Sequence, residues 1–180
     1  MSQWKVVSKK KVFKTELFNV KEINLKNNTG KIIIHHEAER VPIVTVFPLT
    51  DSYEIYLISQ YRSMLEKTVL EAVAGHVEKG ETTIAAARRE LKEETGIEAL
   101  QFEEIARTQT SASVFKSQVN LFLAKGLEIG DNNLDEFEEI KLVKMPLKEA
   151  VEKVMSGEIN HLASMAGILI LDKLRSQKKL

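Results

Sequence analysis

The chain of 180 residues contains no cysteine, which excludes disulfides, thiolate zinc sites and cysteine nucleophiles. It also lacks an excess of either charge, because 26 Lys and Arg balance 26 Asp and Glu. This balance argues against nucleic acid or membranes as partners bound through general electrostatics. No apolar run approaches the ~20 residues of a membrane-spanning helix, and no apolar segment follows the charged start "MSQWKVVSKK", as a secretory signal requires. We therefore expect a cytoplasmic protein.

The composition predicts a packed globular domain. Hydrophobic residues make up 43% of the chain and charged residues 29%, which is enough apolar material for a core and argues against disorder. A length of 180 residues suits one domain, or one domain with a small addition.

Strand signals dominate the first part of the chain. Short alternating runs before residue 38, with the turn signal "NNTG" at 27–30, predict an antiparallel meander of about three strands. "VPIVTVFPL" at 41–49 is almost wholly apolar and predicts a strand that is buried on both faces. "YEIYLISQYR" at 53–62 and "TVLEAVAG" at 68–75 predict two further strands.

Helix signals appear later, between further strands. Strong helix formers without Pro or Gly predict a helix over Thr82–Thr95, with an apolar stripe of Ile84, Ala87 and Leu91 and a terminating Gly96. Pro146 is expected to open a second helix at its first position, and His161 lies at the start of a third. Strands on both sides of an embedded helix predict a mixed α/β or α+β fold with helices on the sheet faces.

Three glutamates share one face of the first predicted helix. Glu90 lies three residues before Glu93 and four before Glu94, and like charges at these spacings destabilise a helix by a few tenths of a kcal/mol. Arg89 can pair with Glu93 but leaves Glu90 and Glu94 facing each other. Mg²⁺ prefers carboxylate oxygens together with substrate phosphates. The spacing alone is compatible with either a cation site or a solvated acidic face.

The segment Gly75–Ile97, "GHVEKGETTIAAARRELKEETGI", resembles the signature of the Nudix family, G-x5-E-x7-R-E-U-x-E-E-x-G-U, where U is a bulky aliphatic residue. All fixed positions match: Gly75, Glu81, Arg89, Glu90, Leu91, Glu93, Glu94, Gly96 and Ile97. The resemblance implies a mixed sheet between helices, with the signature forming a loop, a helix and a second loop. It also implies hydrolysis of a nucleoside diphosphate linked to another group, with Mg²⁺ or Mn²⁺ as cofactor.

The resemblance also assigns roles to residues of the signature. Glu90 and Glu94 are the expected metal ligands, with the backbone carbonyl of Ala74 as a third. Glu93 is expected to be a ligand or a base that acts through water. Arg89 is expected to orient the glutamates, and Glu81 to brace the loop.

Segments outside the signature resemble the ADP-ribose pyrophosphatase branch of the family, which includes related nucleotide-sugar hydrolases. They are "SQYR" at 59–62, "LEAVAG" at 70–75 and "PLKEAVEKVMSGEI" at 146–159. Arg62, Glu71 and Gly75 are then the expected contacts to the nucleotide-sugar substrate. The branch also implies that residues 1–37 form a dimerisation and substrate-binding meander, residues 38–180 form the hydrolase domain, and the protein is a homodimer.

One segment departs from that branch. A Ser-Pro-Gly-like loop followed by a catalytic glutamate is usual, whereas this chain has "TSASVFKSQ" at 110–118 and no acid between Glu104 and Glu128. The acidic segment near residue 135 is one alternative source of a third carboxylate, through Asp135, Glu136, Glu138 or Glu139; plain solvation is the other interpretation of that segment. Two other functions stay open: a nucleotide-sugar sensor without activity, and a housecleaning hydrolase of nucleoside triphosphates.

Overall fold

The computed structural model describes residues 3–111, 113–130 and 140–180. In chain order the elements are β1 Lys5–Lys14, β2 Phe18–Lys26, β3 Ile32–Arg40, β4 Ile43–Pro48, β5 Glu54–Arg62, a 3₁₀ turn Ser63–Leu65, β6 Lys67–Glu71, β7 Val73–His76, α1 Thr83–Thr95, β8 Ile97–Gln109, β9 Phe115–Lys116, β10 Gln118–Ile129, β11 Ile140–Pro146, α2 Leu147–Met155 and α3 Leu162–Ser176. The sequence-based expectation of a mixed fold of strands and three helices is confirmed. None of the helices in the described ranges is both long and apolar enough to cross a membrane.

The chain divides into two compact units. The first contains residues 1–42 and 108–118, and the second contains residues 43–107 and 119–180. In the first unit, β1, β2, β3 and β9 form one sheet in that order. The pairs β1–β2 and β2–β3 are antiparallel, whereas the short β9 runs parallel to β3. The first unit therefore combines the N-terminal meander with part of the atypical segment at 110–118.

The second unit has two sheets with helices on both sides. One sheet has the order β7-β4-β10-β8, with β4 parallel to β10 and antiparallel to β7. The other has the antiparallel order β11-β5-β6. Alternate residues of β4 and β5 point to opposite sides, as the period of a strand requires. Phe47 and Leu57 pack in the cluster that includes residues of α2 and α3, whereas Val46 and Ile58 pack in the cluster that includes residues of α1.

Two details of the helices differ from the sequence-based expectations. Ile84, expected on the apolar stripe, is 41% exposed, and the buried positions of α1 are Ala86, Ala87, Leu91, Glu94 and Thr95. The buried face of α1 therefore includes Ala86 and excludes Ile84. Pro146 ends β11 and precedes α2 instead of being its first helical residue, since its ψ of 140° is extended.

Candidate active site

The signature segment begins in β7, includes α1 and ends at Ile97, the first residue of β8. Thr82 caps the helix, because its side chain accepts a hydrogen bond from the Ala85 amide at 3.2 Å. Gly96 ends it in the left-handed region at φ 69°, where its amide donates to the Lys92 carbonyl at 2.8 Å. These two contacts define where α1 begins and ends. The positions of the signature carboxylates depend on which face of α1 lies toward β7.

Arg89 lies at the centre of the signature and donates five hydrogen bonds. Its Nε and Nη2 atoms hold the two carboxylate oxygens of Glu81 at 3.1 and 3.0 Å. Nη1 donates to Glu90 at 2.8 Å and to Glu93 at 3.0 Å, and Nη2 also donates to the His76 carbonyl at 2.9 Å. A planar guanidinium suits this many partners. Arg89 thus contacts Glu90 and Glu93, which it was predicted to orient, and Glu81, which was predicted to brace the loop; these roles stay predictions.

The electrostatics of this array favour the charged forms of Glu81 and Arg89. The hydrogen bonds from Arg89 lower the pKa of Glu81, against the opposing effect of burial. The three glutamates around the guanidinium, with Glu81 first, raise the pKa of Arg89 above its already high ordinary value. Both shifts stabilise the ion pair between Glu81 and Arg89.

Gly75 lies directly against the carboxylate of Glu90. A Cβ atom at residue 75 would be 1.8 Å from Cδ of Glu90 and 2.0 Å from its Oε1. Any side chain at this position would force the Glu90 carboxylate to move. The φ of residue 75 lies outside the positive range where glycine is otherwise required. The absence of a side chain at Gly75 therefore allows β7 and α1 to lie close together.

The three glutamates differ in exposure. Glu94 is buried at 6% exposure, the Glu90 side chain is 14% exposed and that of Glu93 is 43% exposed. Ala74 lies in β7 next to Gly75 and pairs with Thr45 of β4. The described ranges contain no group of three or more acidic or imidazole side chains already gathered around one point. Nevertheless, the carboxylates beside the Gly75 cradle supply the oxygen donors that Mg²⁺ or Mn²⁺ uses, so the residues fit a divalent cation.

Two further predicted residues, Arg62 and Glu71, contact each other. Arg62 Nε at the end of β5 donates to Oε1 of Glu71 at 2.7 Å, and its Nη2 also contacts that oxygen. Glu71, at the end of β6, is 3% exposed. Sequence reasoning treated these as separate substrate contacts and did not foresee the pair. The register of β5 and β6 does not predict it either, because Arg62 lies opposite Lys67 and Glu71 lies opposite Ile58.

Sequence reasoning missed two residues near this pair. His161 was assigned to the start of a helix, which is where it lies, but its Nδ1 atom is also 3.8 Å from Oε2 of Glu71. The same Nδ1 lies 2.9 Å from the hydroxyl oxygen of the buried Ser164. Their separation of about 90 residues from Glu71 in the sequence left no local signal.

The atypical segment at 110–118 lies in the first unit. The Thr110 amide donates to the Ser117 carbonyl at 3.1 Å, and the Ala38 amide donates to the Val114 carbonyl at 2.8 Å. The second contact, together with the parallel pairing of β9 and β3, attaches the segment to β3. The candidates for a third carboxylate, Asp135, Glu136, Glu138 and Glu139, lie outside the described residues.

Comparison with known proteins identifies the fold and the family. The family profile "NUDIX domain" matches residues 39–164. The chain is 34% identical over 151 residues to the methanol dehydrogenase activator of Bacillus methanolicus, which covers 83% of this chain and 79% of that protein. It is 32% identical over 159 residues to the ADP-ribose pyrophosphatase of Bacillus subtilis, covering 86% of this chain and 85% of that protein.

A solved structure supports the same assignment at the level of the fold. The crystal structure of an ADP compounds hydrolase superposes with a TM-score of 0.85 at 24% identity, covering 99% of this chain and 97% of that one. The fold, the complete signature and the arrangement of its side chains around Arg89 thus agree with one another. The chain belongs to the Nudix family and is a Nudix hydrolase.

Proposed function

We propose that the protein hydrolyses, with a divalent metal, the diphosphate linkage of ADP-ribose or a related nucleoside diphosphate sugar. The products would be a nucleoside monophosphate and a sugar phosphate. The observation that carries the proposal is the set of carboxylates held by Arg89 beside the Gly75 cradle. The substrate class is supported by relatives that are named for ADP-ribose and for ADP compounds.

The proposed metal ligands are the carboxylates of Glu90, Glu93 and Glu94 and the backbone carbonyl of Ala74. A bound Mg²⁺ or Mn²⁺ would neutralise charge on the diphosphate and lower the pKa of a coordinated water. Arg89 donates hydrogen bonds to both Glu90 and Glu93. Its positive charge offsets the repulsion between the two carboxylates, which are therefore already in position before substrate binds. Glu93 has the most exposed of the three side chains, which makes it the one best placed to take a proton from water.

Arg62 is the proposed contact to the diphosphate. Glu71 holds its Nε and Nη2 atoms, and within the described part of the chain Nη1 has no hydrogen-bond partner. The side chain is 40% exposed, so this group is accessible to an anion. A guanidinium that is already fixed on one edge loses little conformational entropy when its other edge binds phosphate oxygens.

The first unit is proposed to contact the nucleoside. It contains a cleft of about 420 Å³ whose lining includes both charged and apolar side chains, among them Lys14, Phe18, Glu39, Arg40 and Lys116. A mixed lining of this kind suits a base and a ribose. We expect Arg40→Ala to raise KM for the nucleotide without changing the products, which a product assay over a substrate titration measures.

We also propose a homodimer that uses the first sheet. Every residue of β1, the edge strand, is exposed, and Ile32 and Ile34 on β3 are 56% and 60% exposed. An uncovered edge with apolar neighbours favours pairing with a second copy. Sedimentation velocity should give a dimer for the natural chain and a monomer for the double variant Ile32→Glu, Ile34→Glu. A monomeric natural chain would refute the proposal.

The catalytic proposal is tested by a product assay on ADP-ribose, GDP-mannose, UDP-glucose, a dinucleoside polyphosphate and dGTP, each with Mg²⁺ and with Mn²⁺. The expected result is metal-dependent release of AMP from ADP-ribose, or of the monophosphate from another nucleotide sugar. Glu94→Gln should abolish it, because it removes a buried proposed ligand. Glu98→Gln is the matched control, since Glu98 lies just beyond α1 with a side chain that is 63% exposed.

Three other outcomes would contradict the proposal. Pyrophosphate released from dGTP would indicate a housecleaning hydrolase. Tight nucleotide binding without turnover, unaffected by Glu94→Gln, would indicate a sensor. Activity that persists with excess chelator would remove the metal from the mechanism.

A further inference from the structure

The carboxylate of Glu71 joins elements from three parts of the second unit. Its side chain is 5% exposed, so it is almost fully removed from solvent. Oε1 accepts hydrogen bonds from Arg62, and Oε2 faces Nδ1 of His161 at 3.8 Å. A buried carboxylate is costly unless both of its oxygens have favourable neighbours. His161 supplies the neighbour on the side that Arg62 does not reach.

His161 is itself held by the first turn of α3. It occupies the position before the helix, yet its side chain makes no capping hydrogen bond there. Instead, Nδ1 lies 2.9 Å from Oγ of Ser164, and the same Oγ accepts the amide hydrogen of Ala72 at 2.9 Å. We assign the ring hydrogen to Nδ1, because it then donates to the hydroxyl oxygen and directs its positive end toward Glu71.

Ser164 connects this group to the backbone just before the signature. Ser164 is fully buried, and the amide that it accepts belongs to Ala72, between β6 and β7. Ala74, the proposed carbonyl ligand, follows two residues later. The first turn of α3 therefore contacts both the carboxylate that fixes Arg62 and the strand that leads to the proposed metal ligands.

We propose that His161 and Ser164 are positioning residues for the diphosphate contact: they hold Glu71, and through it Arg62, in the orientation that binds the nucleotide. This inference rests on the proposed function, because it assigns Arg62 to the diphosphate. Helix capping alone would not account for it, since the imidazole makes no capping hydrogen bond and its Nδ1 atom faces a buried carboxylate of another element.

Two substitutions of His161 separate its ring nitrogens. Both Asn Nδ2 and His Nδ1 are attached to Cγ, so His161→Asn keeps a donor near Glu71 and Ser164, whereas the longer His161→Gln places its amide near the Nε2 position. We expect His161→Ala to raise KM for the nucleotide about fivefold to tenfold with kcat within about twofold, the size of one lost contact to a charged group. His161→Asn should restore KM and His161→Gln should not.

A double-mutant cycle tests whether His161 acts through Arg62. In an Arg62→Ala background, His161→Ala should have no further effect on KM, because the arginine that it positions is absent. Leu162→Ala is the matched control: it changes the next residue, which is 63% exposed, and should leave KM unchanged. Ser164→Ala should raise KM in the same direction as His161→Ala.

A readout without substrate separates this inference from the proposed function. The Arg62 Nε–H resonance, identified by its loss in Arg62→Lys, should be protected from hydrogen exchange in the natural chain and in His161→Asn. It should exchange at least about tenfold faster in His161→Ala, because the acceptor loses its fixed orientation. Inactivity of the natural chain on every nucleotide sugar would refute the proposed function and leave this measurement in place.

The inference is overturned by any of three results. Unchanged exchange of the Arg62 Nε–H in His161→Ala would show that the histidine does not position the pair. Additive effects of His161→Ala and Arg62→Ala on KM would show independent action. Rescue by His161→Gln instead of His161→Asn would show that Nε2 contacts the substrate directly.

Discussion

The contact between Gly75 and Glu90 gives a prediction that depends on one added methyl group. In Gly75→Ala the new Cβ would start 1.8 Å from Cδ and 2.2 Å from Oε2 of Glu90. Nonbonded carbon atoms are most favourable at about 3.5–4.0 Å, so the carboxylate has to move by roughly 1.5 Å or more. Residue 75 has no positive φ, and the substitution therefore tests the contact alone, without backbone strain.

A displacement of that size should greatly reduce activity. Misplacing a catalytic group by about 1 Å can cost about 100-fold in rate, so kcat/KM for the nucleotide sugar should fall at least about 100-fold, or about 2.7 kcal/mol. Calorimetric titration with Mn²⁺ should show weaker binding of the metal. The assay is release of monophosphate at saturating metal, with circular dichroism to establish that the variant is folded.

Gly130→Ala is the matched control for this experiment. Gly130 also lacks a positive φ, and the nearest atom to an added Cβ is the Gly96 carbonyl oxygen at 3.4 Å, an ordinary contact. This variant should keep full activity. A folded Gly75→Ala with unchanged kcat/KM and unchanged metal affinity would refute the reasoning, because the carboxylate of Glu90 would then not be needed where the structure has it.

Three other substitutions have definite expected outcomes. Arg89→Lys keeps the charge but cannot replace five hydrogen bonds with three donors, so kcat/KM should fall about 10- to 100-fold, whereas retained activity would exclude an orienting role. Gly167→Ala would place a Cβ 1.9 Å from the ring of Phe47; thermal unfolding should show about 1–3 kcal/mol lost to overpacking, and an unchanged Tm would contradict the tight contact of α3. Two lysines lower the pKa of Glu39 to about 2, below its unfolded value, so its contribution of about 1 kcal/mol is present above pH 4.5 and lost as pH falls toward 2. Glu39→Gln should lose this pH dependence in urea titrations at pH 7 and pH 3, and an identical pH dependence in both proteins would refute it.

Local patterns predicted much of the fold. The apolar run of β4, the run of helix formers in α1 and the glycine at its end each depend on neighbouring residues, and the structure confirms them. The burial of Ile84 was predicted wrongly because helical periodicity indicates a stripe but not which part of it meets the sheet. The centre of that face is decided by packing against β4 and β7, which no window of sequence contains.

The site was predictable where its members lie close together in the sequence. Arg89, Glu90, Glu93 and Glu94 fall within two helical turns, so their shared side of α1 follows from the period of the helix. The contact of Gly75 with Glu90 and the group formed by Glu71, His161 and Ser164 require the packing of helices on strands. Their sequence separation removes any periodic signal, and their geometry emerges only from the folded chain.

The five hydrogen bonds of Arg89 have a consequence for which mutations this segment tolerates. Ile84 and Ala85 are exposed on α1, so many residues can replace them without disturbing the carboxylates. A single inserted residue between Thr82 and Arg89 is different, because each residue turns a helix by about 100°. It would rotate Arg89 away from Glu81 while every original side chain remained present. The length of this stretch is therefore more constrained than its composition, and libraries that vary it should accept substitutions but reject insertions and deletions.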